Sequence, residues 1–338
     1  MKFTAAVGNP PYQIQTKDTS DNPVYHLFMD ESYKLADKVA LIHPARFLFN
    51  AGKTPKEWNK KILNDKHTKV IFYEQQSSKV FPNTDIKGGI AITYHDISKD
   101  FGKIGSFTSH PELKTIQEKV ENHDNFAPLS GMIYLQNKFN LDALYKDNPS
   151  FKKIIGSSGR EKRLTSPIFE QLNVFVDNPK HDTDVRIFGL IKNNRTYKWI
   201  GKNYLEKHPN LEKYKVLVAK ANGSGALGEV LSSPIICEPF TGFTFSFISF
   251  GAFNDEDEAQ AVLKYIKTKF ARTMLGVLKI TQDNLPRTWS KVPLQNFTNK
   301  SDIDWSKSIP EIDKQLYAKY GLDKKEIDFI ETHVKPMV

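Results

Sequence analysis

The 338-residue sequence predicts an α/β chain: part of a doubly wound sheet, then a mixed α/β domain, then a C-terminal helical segment. Three observations carry this expectation. The first hundred residues alternate short apolar runs with helical patterns, the signature of a parallel α/β layer. After Asp100 that rhythm gives way to short mixed elements with many loops. Past residue 300, two helical patterns flank Gly321. The expected divisions are 1–102, 103–300 and 301–338.

In chain order, Phe3 to Val7 reads as a buried strand that runs into the loop Gly8-Asn9-Pro10-Pro11-Tyr12. After a polar stretch comes an amphipathic helix from Val24 to Ala36, with Leu27, Phe28, Tyr33 and Leu35 among its apolar positions. A strand follows at Val39 to Ile42, a helix at Pro55 to Leu63, a strand at Lys69 to Tyr73 and a last strand at Gly89 to Tyr94. In the second region, Gly156 to Gly159 marks a loop. Val262, Leu263, Ile266, Phe270 and Leu278 then repeat at helical spacing behind an acidic first turn, which predicts one long helix over Asp255 to Leu278. Ile309 to Tyr320 and Lys324 to His333 read as two terminal helices.

Composition narrows the class. With 39% hydrophobic residues the chain is long enough for two cores. No window reaches the ~18 consecutive apolar residues of a membrane span, and Met1 to Gly8 lacks the features of a signal peptide, so a cytosolic protein without a membrane partner is expected. The single cysteine, Cys237, lies in an apolar run and reads as a buried thiol, and the nine histidines show no metal-ligand spacing, so no metal is expected. Between Ser150 and Lys220 there are 15 Lys or Arg against 7 Asp or Glu, which places most of the net charge of +9 in one fifth of the chain. Such a concentration is the footprint expected of a surface that meets a phosphate backbone, and a solvated lysine-rich face gives the same count. On the first reading Arg160, Lys162 and Arg163 are candidate DNA contacts, joined by Lys220, Asn222 and Ser224 beside a glycine-rich loop.

Asn9-Pro10-Pro11-Tyr12 follows a strand directly, where open α/β sheets place ligand-binding residues. This loop resembles the catalytic motif of amino-methylating, adenine-specific DNA methyltransferases of the restriction-modification type. Further resemblances follow in the same order along the chain. Asn22 to Phe28 is similar to the family's helix that closes on the methyl donor, Val39 to Phe47 with His43-Pro44 to its next strand and loop, and Val80-Phe81-Pro82 through Tyr94 to its later hairpin. Tyr214 to Pro239 and Lys269 to Ser308 resemble, with weaker markers, the recognition half of bifunctional restriction-modification enzymes. The resemblance implies a partial Rossmann-like methyltransferase sheet, S-adenosylmethionine as donor and double-stranded DNA as partner.

The implied chemistry fits the residue types. The amino nitrogen of adenine is a poor nucleophile because its lone pair is delocalised into the ring. The Asn9 side-chain oxygen and the Pro10 carbonyl can accept its two hydrogens and favour a tetrahedral nitrogen. Pro10 and Pro11 stiffen the loop, and Tyr12 offers a stacking face to a base turned out of the duplex. Tyr94 resembles a second aromatic against that base and also fits a core tyrosine. Phe28 resembles the aromatic that touches the donor's adenine ring and equally fits a core position on its helix.

In the family the donor site is built largely ahead of the catalytic loop, so an upstream donor-binding or nuclease segment, on a longer chain or a separate subunit, is the expected partner. One later stretch, Gly223-Ser224-Gly225-Ala226-Leu227-Gly228, has the literal G-x-G-x-x-G pattern of a nucleotide loop. Such a loop must open a helix, whereas Pro234 and a β-rich run follow here. Asp100 with Glu112 and Lys114 has the loose spacing of a nuclease site, a pattern common by chance. Two functions are carried forward: an enzyme half that needs a donor-binding segment, and a catalytically inactive DNA-binding specificity module.

Overall fold

The computed structural model describes residues 2–15, 21–155 and 161–337. Gly156 to Gly159 and Arg160 lie outside the described residues. The chain divides into two compact units, the first of Met1–Gln117 with Ser224–Ala226 and Gly276–Thr281, the second of the remainder.

The first unit opens with β1 (Phe3–Gly8), the short strands β2 (Gln13–Ile14) and β3 (Asn22–Pro23), helix α1 (Tyr25–Leu35), β4 (Ala36–Pro44), α2 (Lys56–Asn64), β5 (Thr68–Glu74) and β6 (Ile90–Asp96). Its main sheet has the order β1-β4-β6-β5. The expected parallel layer is met between β1 and β4, joined through α1, with Gly8 opposite Leu41. The last strand differs: β6 lies between β4 and β5 and runs antiparallel to both. The cause is the connection from Glu74 to Ile90, which holds only a short 3-10 turn at Ser77–Lys79 and no crossover helix, so the chain returns as a hairpin. The carboxyl ends of β1, β4 and β5 and the start of β6 consequently share one end of the sheet.

The core of this unit gathers Tyr25 and Met29 of α1, Val39 and Leu41 of β4, Phe47 and Leu48 of the following loop, and Trp58 and Ile62 of α2. The outer edge of β1 and part of α1 are left uncovered. Phe3 is 59% and Val7 84% exposed, and Leu27, Phe28 and Leu35 of α1 are exposed as well.

Helix α3 (Pro111–Glu121) leads into the second unit, which continues with β7 (Ile133–Tyr134), α4 (Leu141–Asp147), α5 (Ile168–Gln171), β8 (Asp184–Ile191), β9 (Asn194–Gly201), β10 (Tyr214–Ala219), β11 (Ile235–Cys237), β12 (Thr241–Phe243), β13 (Phe247–Phe253), α6 (Glu256–Lys267), α7 (Lys269–Gly276), α8 (Ile309–Lys319) and α9 (Lys324–His333). Two sheets form, β11-β10-β13-β7 and β12-β8-β9. Cys237 is buried with a free thiol.

The long helix expected over Asp255 to Leu278 is two helices. Thr268 leaves the helical conformation at ψ 149°. Its hydroxyl donates to the Tyr265 carbonyl (2.6 Å) and accepts from the Ala271 amide (3.0 Å), while the Asp313 carboxylate accepts from the amides of Lys269 and Phe270. The freed donors of the new helix start are thus satisfied in place. Burial pushes Asp313 up to about 6. Among the described residues no helix is long and apolar enough to cross a membrane.

Candidate functional site

Strand β1 delivers Asn9 to the shared end of the first unit's sheet. The Asn9 side chain is exposed, Pro10 and Tyr12 are half-buried and Pro11 is exposed. Beyond the loop the chain is fastened at once: the Val24 amide donates to the Tyr12 carbonyl (3.0 Å), and β2 pairs with β3 through Gln13 and Pro23. The Pro10 carbonyl accepts no backbone hydrogen bond among the described residues, so an acceptor stands open beside the Asn9 amide. The Tyr12 hydroxyl is buried and makes no hydrogen bond among the described residues. Burial raises its pKa, and the neighbouring Asn9 side chain pulls it part of the way back. The phenol is neutral at physiological pH.

Near the same end of the sheet lies an aromatic stack. Tyr25, the first residue of α1, stacks on His43 with ring centroids 5.7 Å apart and planes 10° from parallel. His43 is fully buried. Its Nε2 lies 2.9 Å from the Thr93 hydroxyl and its Nδ1 3.2 Å from the Pro44 carbonyl oxygen. Burial holds it down to about 4, with the contact to the Pro44 carbonyl working weakly the other way. A neutral imidazole therefore ties α1, β4 and β6 together at that end of the sheet.

The two expected aromatic walls lie in different surroundings. Phe28 is 45% exposed on α1, so it is no core residue and its ring is open to a ligand. Tyr94 sits opposite Ala40, which in turn is opposite Val7. Its hydroxyl donates to Asp96 at 3.0 Å, toward the sheet end remote from Asn9, and its ring packs beside Phe101. The structure does not bring Tyr94 to the loop.

Of the described DNA-contact candidates, Lys162, Arg163, Lys220 and Asn222 lie in the second unit and Ser224 in the first. Lys162 is exposed and ion-paired with Glu206 at 2.7 Å. Arg163 and Lys220 converge on Phe245, with the guanidinium carbon 5.8 Å and the ammonium 2.8 Å from the ring centroid. Burial lowers Lys220 to about 8, Asp283 opposing that shift and Arg163 adding to it. Asn222 corrects the expectation of a DNA contact. It is 3% exposed, its amide nitrogen donates to the Val230 carbonyl, and its oxygen accepts from the Ser232 amide and hydroxyl. Its side chain holds a turn. Ser224 is exposed and accepts from the Ala226 amide at 3.3 Å.

The glycine-rich stretch around Ser224 is shaped by packing. No helix follows Gly228, since β11 comes next. A Cβ on Gly225, where φ is +92°, would lie 2.1 Å from the Ile280 carbonyl carbon, and one on Gly228 would lie 2.4 Å from the His333 carbonyl oxygen. These glycines admit neighbouring backbone where a nucleotide loop would admit a phosphate.

Residues 1–81 match the Eco57I restriction-modification methylase family. The resemblance read from Asn9 to Tyr12 thus holds over the segment that builds β1 to β5. An uncharacterized adenine-specific methylase of Mycoplasma pneumoniae is 35% identical over 95 residues, which are 27% of this chain and 22% of that protein. Among solved structures, the type IIG restriction endonuclease BpuSI is 10% identical with a TM-score of 0.36, over 98% of this chain and 53% of its own. The type IIL restriction-modification enzyme MmeI, solved in complex with DNA, is 9% identical with a TM-score of 0.46, over 97% of this chain and 56% of its own. The chain therefore spans about half the length of those two and less than a quarter of the Mycoplasma protein.

In the first unit, sequence reasoning missed the contacts that Tyr25 and Thr93 make with His43. A signal for Tyr25 was present, because an aromatic residue at the first position of an amphipathic helix is well placed to pack on the core. Thr93 carried none, since its bond to His43 spans 50 residues.

Proposed function

We propose that this chain supplies the catalytic loop and target-recognition part of a DNA adenine methyltransferase of the restriction-modification type, and that the methyl group comes from S-adenosylmethionine. One observation carries the reading: Asn9-Pro10-Pro11-Tyr12 stands at the carboxyl end of β1 inside the segment that matches the methylase family. On this reading the β1-β4-β6-β5 sheet is the carboxyl-side half of a Rossmann-like methyltransferase sheet.

The residues divide the work simply. The Asn9 side-chain oxygen and the open Pro10 carbonyl accept the two amino hydrogens of an everted adenine, which localises the nitrogen lone pair. Tyr12, neutral and half-buried, presents its ring to the base. The donor, when bound, supplies an electrophilic methyl group on a sulfonium centre. Phe28 fits a donor's adenine ring by its exposure. The Gly223–Gly228 loop does not fit, because the space its glycines leave is filled by the chain's own backbone. Further strands against the open edge of β1 complete the donor site on this reading, from another segment or a separate subunit.

DNA affinity rests on the second unit and is expected to fall steeply with salt. Each phosphate contact contributes a slope of about −0.9 in log affinity against log salt. Reversing the charges of Arg163 and Lys220 together should flatten that slope by roughly 2 and weaken all duplexes alike. Fluorescence anisotropy over a salt series measures both quantities. An affinity indifferent to salt and to these changes would mean that the basic stretch is only a solvated face. The enzymatic reading is tested by supplying the donor-binding part with labelled S-adenosylmethionine and a duplex. Transfer to the adenine amino group is expected, and methylcytosine as product, or no transfer, would refute it.

A further inference from the structure

The second unit holds a concave cleft of about 560 Å³, lined on its floor by Leu190, Ala219 and Phe247 and on its walls by Asn193, Lys220 and Gln282. Pockets of ~300 to 1,000 Å³ with an apolar floor and a few polar groups are the usual form of small-ligand sites. Side chains that read base edges in a duplex groove project outward from the protein surface. A hollow suits a unit that enters it.

The hollow is built for a group with an anionic end and a planar polar end. Lys220 and Phe245 line it, and Arg163 approaches the same Phe245 ring from beside the cleft. Two cations so placed repel each other, and the one carboxylate in the lining, Asp283, is shared between Lys220 and Arg287, to which it is bonded at 3.2 Å. An anion between the two would relieve that repulsion. On the walls, Gln282 and Asn193 are exposed and their side-chain amides make no hydrogen bond to another described residue. Asn193 is presented by the tight turn between β8 and β9, where its own φ is 64° and that of Lys192 is 48°. Amide side chains pair readily with purine edges.

We infer that this cleft takes one nucleotide unit, its base edge against Gln282 and Asn193 and its phosphate between Arg163 and Lys220. Two sources share this chemistry: a nucleotide everted from DNA, distinct from the adenine that meets Asn9, and a free mononucleotide. The first source rests on the DNA reading proposed above.

The test uses the full chain with three probes: a duplex with 2-aminopurine at successive positions, the matching single strand, and each deoxynucleoside monophosphate. Gln282→Ala and Lys220→Met are expected to weaken binding of the occupying probe by roughly tenfold each, while Lys207→Met, an exposed lysine of the same basic stretch outside the cleft, leaves it within about twofold. Fluorescence rising at one duplex position, and suppressed by Gln282→Ala, identifies DNA as the source. Monophosphate binding lost in Lys220→Met identifies the free nucleotide, and supports the cleft even if the chain binds no duplex and the DNA reading falls. Normal duplex binding by all three variants, with no monophosphate bound, overturns the inference and leaves the DNA reading standing. Failure of the parent chain to bind any probe overturns both.

Discussion

Replacing Asn9 by alanine in the methyltransferase complete with its donor site is expected to lower turnover by roughly 100-fold or more, while duplex affinity changes little. The reason is differential binding. The Asn9 oxygen gains most as the amino nitrogen becomes tetrahedral, so its loss raises the barrier more than it weakens the ground-state complex. Removing a preorganised acceptor of this kind costs about 3 kcal/mol when it behaves like an oxyanion-type contact. Tyr12→Ala serves as the contrast. A stacking face is worth ~1 to 3 kcal/mol per base, so capture of the everted adenine should weaken together with turnover, and 2-aminopurine at the target position reports that capture directly. Parent-rate methylation by the Asn9→Ala protein would remove this loop from the mechanism.

Acid should loosen the first unit through His43. Its folded pKa of about 4 lies below the ordinary value of ~6.5. Between those two values the unfolded chain takes up a proton that the folded chain refuses, so protonation favours unfolding. The stability tied to His43 is fully present above pH ~6.5 and drains away as pH falls toward about 4, at ~1.4 kcal/mol per pH unit. That amounts to about 3 kcal/mol over the window. His26 and His95 are shifted down as well, each mainly by burial, and add to the effect. Urea unfolding at pH 7, 6 and 5, with hydrogen exchange of β4 as the local readout, measures it. His43→Asn is expected to be less stable at pH 7 and to depend less on pH. An unaltered slope in that variant would show that another group sets the acid limit.

Periodicity made much of the first unit legible. The pattern that predicts Val24 to Ala36 ends within one residue of α1, and Ile309 to Tyr320 does the same for α8. Strand direction leaves no such mark: Gly89 to Tyr94 has the same apolar pattern whether β6 runs with its neighbours or against them. Only the absence of a helical pattern between Glu74 and Ile90 bears on it. The break at Thr268 was hidden because apolar spacing continues through it, while the carboxylate that stabilises it, Asp313, lies more than 40 residues on. Asn222 misled for a related reason. Beside glycines a polar amide suggests a ligand, and only the folded turn shows its hydrogen bonds used at home. The Asn9 to Tyr12 loop stood out because its four residues are adjacent in sequence, whereas Arg163, Lys220 and Phe245 meet only in three dimensions.

The open side of β1 also has a consequence for how the protein survives before it works. A strand that carries exposed Phe3 and Val7 and leaves one row of peptide groups unpaired is a template for another strand, and a second copy of the same edge is the commonest candidate in a concentrated solution. Alone, the chain is expected to self-associate with rising concentration, and light scattering should report it, with Val7→Lys suppressing it. On the proposed reading, any strand that pairs with this edge would also act as a protective cover, and a cell would gain by making the two together.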